Sequence, residues 1–243
     1  MVEVVEMVKT FVLHVKRGYE DRLTRVHRML VGLNIEYELM LDGDVEDIDG
    51  RILDHYFSKD LYAPIPATSC ALKHLLIYRK IVEENIDMAL VLEDDISFTK
   101  RFGEVMAGVL RERAADKEPF YVGLEASCLR LIPRSRRKPG VVTYTADYVQ
   151  CTGAYVINQA AARTILNFVS VHKCDTSFDI FLNRLQNDGL FRLYWTFPPV
   201  AEQGSLNGTM ESSVSGVVGG ATLTKRIKRR LTLCYKWVLY YFR

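Results

Sequence analysis

Three consecutive carboxylates, Glu93, Asp94 and Asp95, are the residues whose types and spacing point most directly to chemistry. They follow the apolar run 88–92, which predicts a buried strand. Adjacent carboxylates repel one another, so a divalent cation or basic side chains must offset their charges. Mg²⁺ and Mn²⁺ prefer oxygen ligands and bridge carboxylates to substrate phosphates. The triplet therefore indicates a site for such a metal and a diphosphate. The alternative is a surface loop, or a cap on a helix near Thr99.

The surrounding pattern predicts an α/β sandwich that positions this triplet. Strands are predicted at residues 8–15, 35–41, 88–92, 120–124, 141–144, 154–157 and 191–196. Helices are predicted at residues 19–31, 69–84, 159–168 and 178–186. Ligands of open α/β sheets bind beyond the carboxyl ends of the strands, and the triplet is expected at such an end.

Basic partners for an anionic ligand are expected near the same edge. Arg17 and Arg22 follow the first predicted strand, and guanidinium groups suit bidentate contact with phosphate. Arg17 lies in the turn itself, whereas Arg22 has the alternative of pairing with Glu20 or Asp21 on a solvated helix. His74 precedes the acidic strand, at a helical position where a lone histidine packs more often than it binds a ligand.

The composition is that of an ordinary globular chain, with 243 residues, 49% hydrophobic and 26% charged, and a formal net charge of +2. This balance does not favour a nucleic-acid binder. The five cysteines form no C-x-x-C pair and no closely spaced set with histidines, so no zinc site is predicted and a reducing compartment is favoured. The sequence has no secretory signal pattern and no apolar stretch of the roughly 20 residues that span a bilayer. We expect a cytoplasmic protein.

The sequence predicts that the chain consists of three parts. Residues 1–202 hold the predicted strands and helices, residues 203–224 predict a flexible loop or lid, and residues 225–243 predict a basic amphipathic helix. That tail suits peripheral contact with the inner face of the cytoplasmic membrane, and the alternative is a helix packed on the domain. The basic segment 130–138 is either a contact for an anionic acceptor or a solvated charge run.

Four ordered blocks of this sequence resemble glycosyltransferase family 25, which includes bacterial lipooligosaccharide galactosyltransferases and collagen galactosyltransferases. The blocks are residues 11–22, 70–85, 89–95 and 152–158, with a weaker match through 178–182 and 199–203. The sequence departs from the family pattern at His14 and Val15, where asparagine and leucine are usual, and at Lys73, where serine is common.

The resemblance implies a GT-A-like (Rossmann-like) mixed sheet flanked by helices, and transfer of a sugar with inversion at its anomeric carbon. It implies a nucleotide-sugar donor such as UDP-galactose, a D-x-D-type metal motif, and a saccharide or lipid-linked saccharide acceptor in lipopolysaccharide biosynthesis. It also moves His74 and Arg22 into the group of donor-binding candidates. Gln203 and the loop after it are expected to close over the donor, the alternative being an ordinary connection.

Roles within the site follow from the chemistry of an inverting displacement. Glu93 and Asp95 are expected to hold Mn²⁺ or Mg²⁺, with Asp94 nearer the donor. A separate carboxylate must deprotonate the acceptor hydroxyl. The resemblance makes Asp179 the first choice, because it matches an aspartate in the late block of the family. Its position also suits a helix N-cap, and Asp175 and Glu125 are the competitors.

Two other classes of function stay open at this point. One is a non-catalytic, membrane-associated protein that binds a nucleotide sugar or a carbohydrate on the same fold. The other is a metal-dependent phosphohydrolase, which is disfavoured because no clustered His and Asp pairs suggest a second metal.

Overall fold

A seven-stranded mixed sheet forms the centre of the computed structural model, which describes residues 8–207, 210, 231–236, 238–240 and 242. The strands in chain order are β1 (Lys9–Leu13), β2 (Glu38–Met40), β3 (Met88–Glu93), β4 (Ile96–Phe98), β5 (Phe120–Gly123), β6 (Thr143–Thr145), β7 (Ala154–Asn158), β8 (Arg192–Thr196) and β9 (Ala201–Gln203). Their order across the large sheet is β2-β1-β3-β7-β5-β8-β6, and β4 pairs separately with β9. β1 lies between β2 and β3 and is parallel to both, whereas β7 runs antiparallel to β3 and β5.

Helices cover both faces of the sheet. They are α1 (Glu20–Gly32), α2 (Gly50–Tyr56), α3 (Pro66–Glu83), α4 (Phe102–Arg113), α5 (Gln159–His172), α6 (Phe178–Asn187) and the short α7 (Gly204–Asn207). Alternate residues of β3 enter two different cores: Ala89 and Val91 pack with α3, α5 and α6, whereas Leu90 and Leu92 pack with α1 and α4. This two-sided burial explains why β3 reads as a continuous apolar run.

The mixed α/β sheet flanked by helices is confirmed, with changes at the ends of elements. The strand predicted at 35–41 is shorter, because the Ile35 amide still bonds to Leu30 O at the end of α1. The structure adds α2, α4, β4 and β9, which the sequence analysis did not predict.

The predicted loop 203–224 begins differently from the expectation, because Gln203 ends β9 and residues 204–207 are helical. Apart from Met210, the rest of that segment lies outside the described residues. In the predicted tail helix, residues 231–236 and 238–240 are helical, and the remainder apart from Phe242 also lies outside. None of the helices in the described part of the chain has the length and apolarity needed to cross a membrane.

Candidate functional site

A cavity of about 440 Å³ lies beyond the carboxyl ends of β1 and β3. The two strands are parallel, and their register aligns Leu13 with Glu93, so the residues that follow each strand meet at one edge. Seven of the ten predicted site residues line this cavity: Arg17, Arg22, Glu93, Asp94, Asp95, Asp179 and Gln203.

Asp94 is held by two basic side chains. His14 Nδ1 lies 2.7 Å from Asp94 Oδ2, and Arg22 Nη1 donates to Asp94 Oδ1 at 3.2 Å. The Arg22 guanidinium also stands 4.6 Å from the centre of the Tyr19 ring. The sequence left open that Arg22 pairs with Glu20 or Asp21. In the structure its ion pair is with Asp94. Asp94 positions Arg22 at the cavity wall.

Glu93 is half-buried, and both of its carboxylate oxygens accept hydrogen bonds. Thr152 Oγ1 donates to Oε1 at 3.1 Å, and Gln203 Nε2 donates to Oε2 at 3.2 Å. A Cβ added to Gly153 would come within 2.5 Å of Gln203 Cγ, so the glycine leaves room for the Gln203 side chain. Glycine at this position therefore allows β9 to present Gln203 to Glu93.

Asp95 has one carboxylate oxygen with a partner and one without. Oδ2 accepts from the Ser205 amide at 3.0 Å, whereas Oδ1 is buried with no hydrogen-bond partner among the described residues. Burial raises the pKa of Asp95, and the negative charge of Glu93 raises it further. A buried carboxylate oxygen without a partner, close to a second carboxylate, fits a divalent cation. Glu93 and Asp95 are the residues that would hold it.

His74 lies behind Glu93, fully buried. Its Nδ1 is 2.8 Å from the Tyr155 hydroxyl, and its ring stacks on Phe178 with 4.8 Å between the ring centres. Its Nε2 is 3.8 Å from Glu93 Oε1. His74 is not part of the cavity lining, so the structure does not support the expected direct contact with the donor; its polar edge faces Glu93.

The three candidate bases occupy different environments. Asp179 lies in the first turn of α6, lines the cavity, and has no side-chain hydrogen bond or ion pair within the described part of the chain. Asp179 is therefore the candidate that is open to an acceptor.

Asp175 and Glu125 do not line the cavity, so the structure does not support either as the acceptor base. Asp175 pairs with Arg184 and with Lys59, and the hydrogen bond from Arg184 contributes most to lowering its pKa to about 2. Glu125 is buried, and burial raises its pKa to about 8. Its Oε1 accepts from the Gly153 amide at 2.8 Å, which gives it a structural role between β5 and β7.

The basic segment 130–138 makes contacts within the protein and lies away from the cavity lining. The Arg130 guanidinium is 4.2 Å from the centre of the Tyr148 ring, and that of Arg137 is 3.8 Å from Phe197. Arg136 donates to Thr145 O at 2.7 Å. These positions give no support to the expected contact with an anionic acceptor.

Two residues that shape the site, Lys73 and Arg25, were not among the predicted site residues. Lys73, at a position where the family pattern often has serine, is buried and donates to Leu41 O and Asp42 O at 3.0 and 3.1 Å. Arg25 donates to Ile96 O at 2.9 Å and supports the turn that carries the triplet. The departure from the family pattern at position 73 could have pointed to Lys73. The only signal for Arg25 was its position on a predicted helix.

The comparisons with known proteins agree with this geometry. The sheet and its cavity define an α/β protein with a charged site at the carboxyl ends of its parallel strands. Residues 7–182 match the family described as Glycosyltransferase family 25 (LPS biosynthesis protein). The chain belongs to this family, which confirms the resemblance read from its four blocks.

Relatives with curated descriptions are similar over much of this chain. Procollagen galactosyltransferase 1-B of Xenopus laevis is 29% identical over an aligned length of 175 residues, and the match covers 65% of this chain and 28% of that protein. Procollagen galactosyltransferase 2 of Mus musculus is 25% identical over an aligned length of 211 residues, with coverage of 79% of this chain and 31% of that protein. Probable inactive glycosyltransferase 25 family member 3 of Bos taurus is 28% identical over an aligned length of 164 residues, with coverage of 60% of this chain and 27% of that protein. The chain spans less than a third of the length of these relatives.

Proposed function

We propose that this chain is an inverting glycosyltransferase that moves galactose from a nucleotide-sugar donor such as UDP-galactose to a saccharide or lipid-linked saccharide in lipopolysaccharide biosynthesis. One observation carries the proposal: a single cavity joins the carboxylates of Glu93 and Asp95, the guanidinium of Arg22 and the open carboxylate of Asp179. The family supports the reaction class, and the names of two relatives support galactose as the sugar.

In the proposed reaction, Asp179 accepts the proton of the acceptor hydroxyl. The acceptor oxygen forms a bond to the anomeric carbon of the sugar, the bond from that carbon to the donor phosphate oxygen breaks, and the nucleoside diphosphate leaves. Arg17 and Arg22 bind the diphosphate through their guanidinium groups. When bound, Mn²⁺ or Mg²⁺ at Glu93 and Asp95 would neutralise charge on the diphosphate.

Substitution of Asp179 tests the assignment of the base. Asp179→Asn keeps the size of the side chain but removes its basicity, so kcat for transfer should fall by at least about 100-fold with a small change in donor KM. The matched control is Asp175→Asn. It removes a carboxylate that lies shortly before Asp179 in the chain and is not part of the cavity lining. Equal kcat values for wild type and Asp179→Asn would overturn the assignment.

Substitution of Asp95 tests the metal role. Asp95→Asn keeps an oxygen that can accept from the Ser205 amide, 3.0 Å away in the native protein, but removes the charge that a cation needs. We expect loss of Mn²⁺ binding, measured by the electron paramagnetic resonance signal of free Mn²⁺, together with loss of transfer. Unchanged Mn²⁺ binding would refute the metal assignment and would not affect the assignment of Asp179 as the base.

A second candidate is a non-catalytic protein that binds a nucleotide sugar or carbohydrate. The observation that favours it is the description of one relative as a probable inactive glycosyltransferase. The wild-type chain should be offered UDP- and GDP-sugars with several acceptors, and both donor binding and product formation measured. Donor binding without product across the screen would favour this candidate.

We also propose a cytoplasmic location with peripheral contact of the C-terminal helix at the membrane. The support is an exposed apolar stripe formed by Leu231, Tyr235, Val238 and Phe242, each more than half exposed. Six residues before this stripe, 225–230, include five basic ones. An apolar stripe next to concentrated positive charge suits an anionic membrane surface.

A further inference from the structure

Cys70, His74 and Glu93 lie close together, and two of them, Cys70 and Glu93, also line the cavity. Each offers one ligand atom, and the three atoms lie within 4.8 Å of one another. Cys70 and His74 are four residues apart on α3, which places them on one face of the helix, and Glu93 reaches them from the end of β3. The cluster therefore brings together a sulfur, a nitrogen and an oxygen.

The His74 ring is oriented with a free ligand atom toward this cluster. Tyr155 Oη lies 2.9 Å from Tyr78 Oη and 2.8 Å from His74 Nδ1. With the Tyr155 hydroxyl donating to Tyr78, the His74 Nδ1–H donates to Tyr155 and the imidazole lone pair is on Nε2. That atom is buried, has no hydrogen-bond partner among the described residues, and lies 3.8 Å from Glu93 Oε1. A histidine held through Nδ1 with Nε2 open has the arrangement of a metal ligand.

The ligand set selects the class of metal. Thiolate and imidazole favour Zn²⁺ and similar transition ions, whereas Mg²⁺ and Mn²⁺ favour oxygen. Donor atoms that share one tetrahedral Zn²⁺ lie roughly 3.3–3.8 Å apart. The distance of 3.8 Å between His74 Nε2 and Glu93 Oε1 is at the upper limit of this range. Small rotations of the half-buried Cys70 and Glu93 side chains would bring the three atoms, which lie within 4.8 Å of one another, into it.

We propose that Cys70 Sγ, His74 Nε2 and Glu93 bind Zn²⁺, with water as the fourth ligand. The site differs from the Glu93 and Asp95 site for Mn²⁺ or Mg²⁺ in its ligand chemistry, and the two share Glu93. Zn²⁺ and the hard cation therefore compete for one carboxylate. This competition makes Zn²⁺ an inhibitor of transfer, a consequence that rests on the proposed function.

Co²⁺ replaces Zn²⁺ in the test because its absorption reports the ligands. The purified full chain, reduced and free of metal, is titrated with Co²⁺ in the absence of donor and acceptor. A thiolate-to-Co²⁺ charge-transfer band should appear in the near ultraviolet, with visible bands of a four-coordinate ion, and Zn²⁺ should displace both. Absence of the charge-transfer band from the wild-type chain would overturn the proposal.

Two cysteine variants identify the sulfur ligand. Cys70→Ser should abolish the charge-transfer band and weaken Co²⁺ binding at least about tenfold. Cys151→Ser is the matched control, since Cys151 also lines the cavity but is outside the cluster. Retention of the band in Cys70→Ser, or its loss in Cys151→Ser alone, would contradict the assignment. Near-ultraviolet circular dichroism checks that both variants fold, and His74→Gln, which should weaken Co²⁺ binding, provides an independent test of the nitrogen ligand.

An activity measurement separates this site from the proposed function. With Mn²⁺ present, Zn²⁺ should inhibit transfer by the wild-type chain, and Cys70→Ser should raise the inhibitory Zn²⁺ concentration by at least about tenfold. A Co²⁺ spectrum without any transferase activity would support the zinc site and count against the proposed function. Transferase activity without the Co²⁺ spectrum would support the proposed function and count against the zinc site.

Discussion

His14 Nδ1 lies 2.7 Å from Asp94 Oδ2, and this contact joins the carboxyl ends of the parallel strands β1 and β3. The other oxygen of Asp94 accepts from Arg22 at 3.2 Å. Asp94 therefore has its two oxygens engaged by two side chains that follow β1. The central residue of the triplet organises the basic side of the cavity, and the residues on either side of it face the proposed cation.

Arg22→Lys should weaken donor binding. A lysine ammonium has no planar fork, so it cannot contact Asp94 and a diphosphate in the way that the guanidinium does. Hydrogen bonds to charged groups contribute about 1.5–3 kcal/mol, which corresponds to a rise in donor KM of roughly tenfold to a hundredfold. Arg28→Lys, on the exposed side of the same helix, is the matched control. Equal donor KM values for the two variants would show that Arg22 does not bind the donor.

Gly153→Ala should displace Gln203 from Glu93. The added Cβ would lie 2.5–2.6 Å from Gln203 Cγ, Cδ and Nε2, so that side chain must move and give up its hydrogen bond of 3.2 Å to Glu93 Oε2. We expect a loss of about 1–3 kcal/mol in the free energy of unfolding and a weaker affinity for the donor. Urea denaturation and donor titration measure the two effects.

The control for this variant is Gly103→Ala in α4, where an added Cβ meets nothing within 4 Å. Alanine is favoured over glycine inside a helix, so that change should stabilise the protein by about 0.5–1 kcal/mol. If Gly153→Ala behaves like Gly103→Ala, the close approach of Gln203 to Gly153 has no energetic consequence.

Glu125 should make the stability of the protein fall as the pH rises. Its folded-state pKa of about 8 exceeds its ordinary value of 4.5 because burial disfavours the charged form. Between these two values the folded chain binds more protons than the unfolded chain, so the free energy of unfolding decreases with rising pH. The slope is at most about 1.4 kcal/mol per pH unit, which amounts to several kcal/mol over the whole interval.

Glu125→Gln is the matched variant for this pH dependence, since glutamine has no carboxyl to ionise. Urea denaturation of both proteins at roughly pH 5 to 9 should give curves that diverge as the pH rises, with the variant becoming the more stable of the two. The titrations that both proteins share cancel in the difference. Parallel curves would show that Glu125 keeps an ordinary pKa.

The sequence predicted the elements whose pattern is local. Residues 88–92 are apolar without interruption because β3 is buried on both faces, and their identification as a strand is confirmed. Family membership was also readable, because its blocks are short and ordered along the chain. By contrast, α4 was missed, although Phe102, Val105 and Val109 occupy one buried face of it.

The contacts that define the site were not readable, because they join residues far apart in the chain. His14 and Asp94 meet only through the register of β1 with β3. Cys70 and His74 carried a local signal in their spacing of four residues, which the expectation of no closely spaced set of cysteines and histidines overlooked. Glu93 completes that cluster from the end of β3, which no spacing rule predicts.

The C-terminal helix offers the last test, because its exposed stripe lies apart from the cavity residues. Leu231→Asp combined with Val238→Asp places charge at two positions that are 66% and 57% exposed, so the fold should not be affected. If the stripe enters the membrane interface, the double variant should lose partition into anionic vesicles, because buried apolar area drives that binding. Cosedimentation measures the partition, and donor binding should stay unchanged.

Truncation after Thr224 removes both the stripe and the basic run, and should abolish binding to the vesicles at any salt concentration. Equal partition of the wild type and the double variant would leave charge alone as the attraction, in which case binding would disappear at high salt.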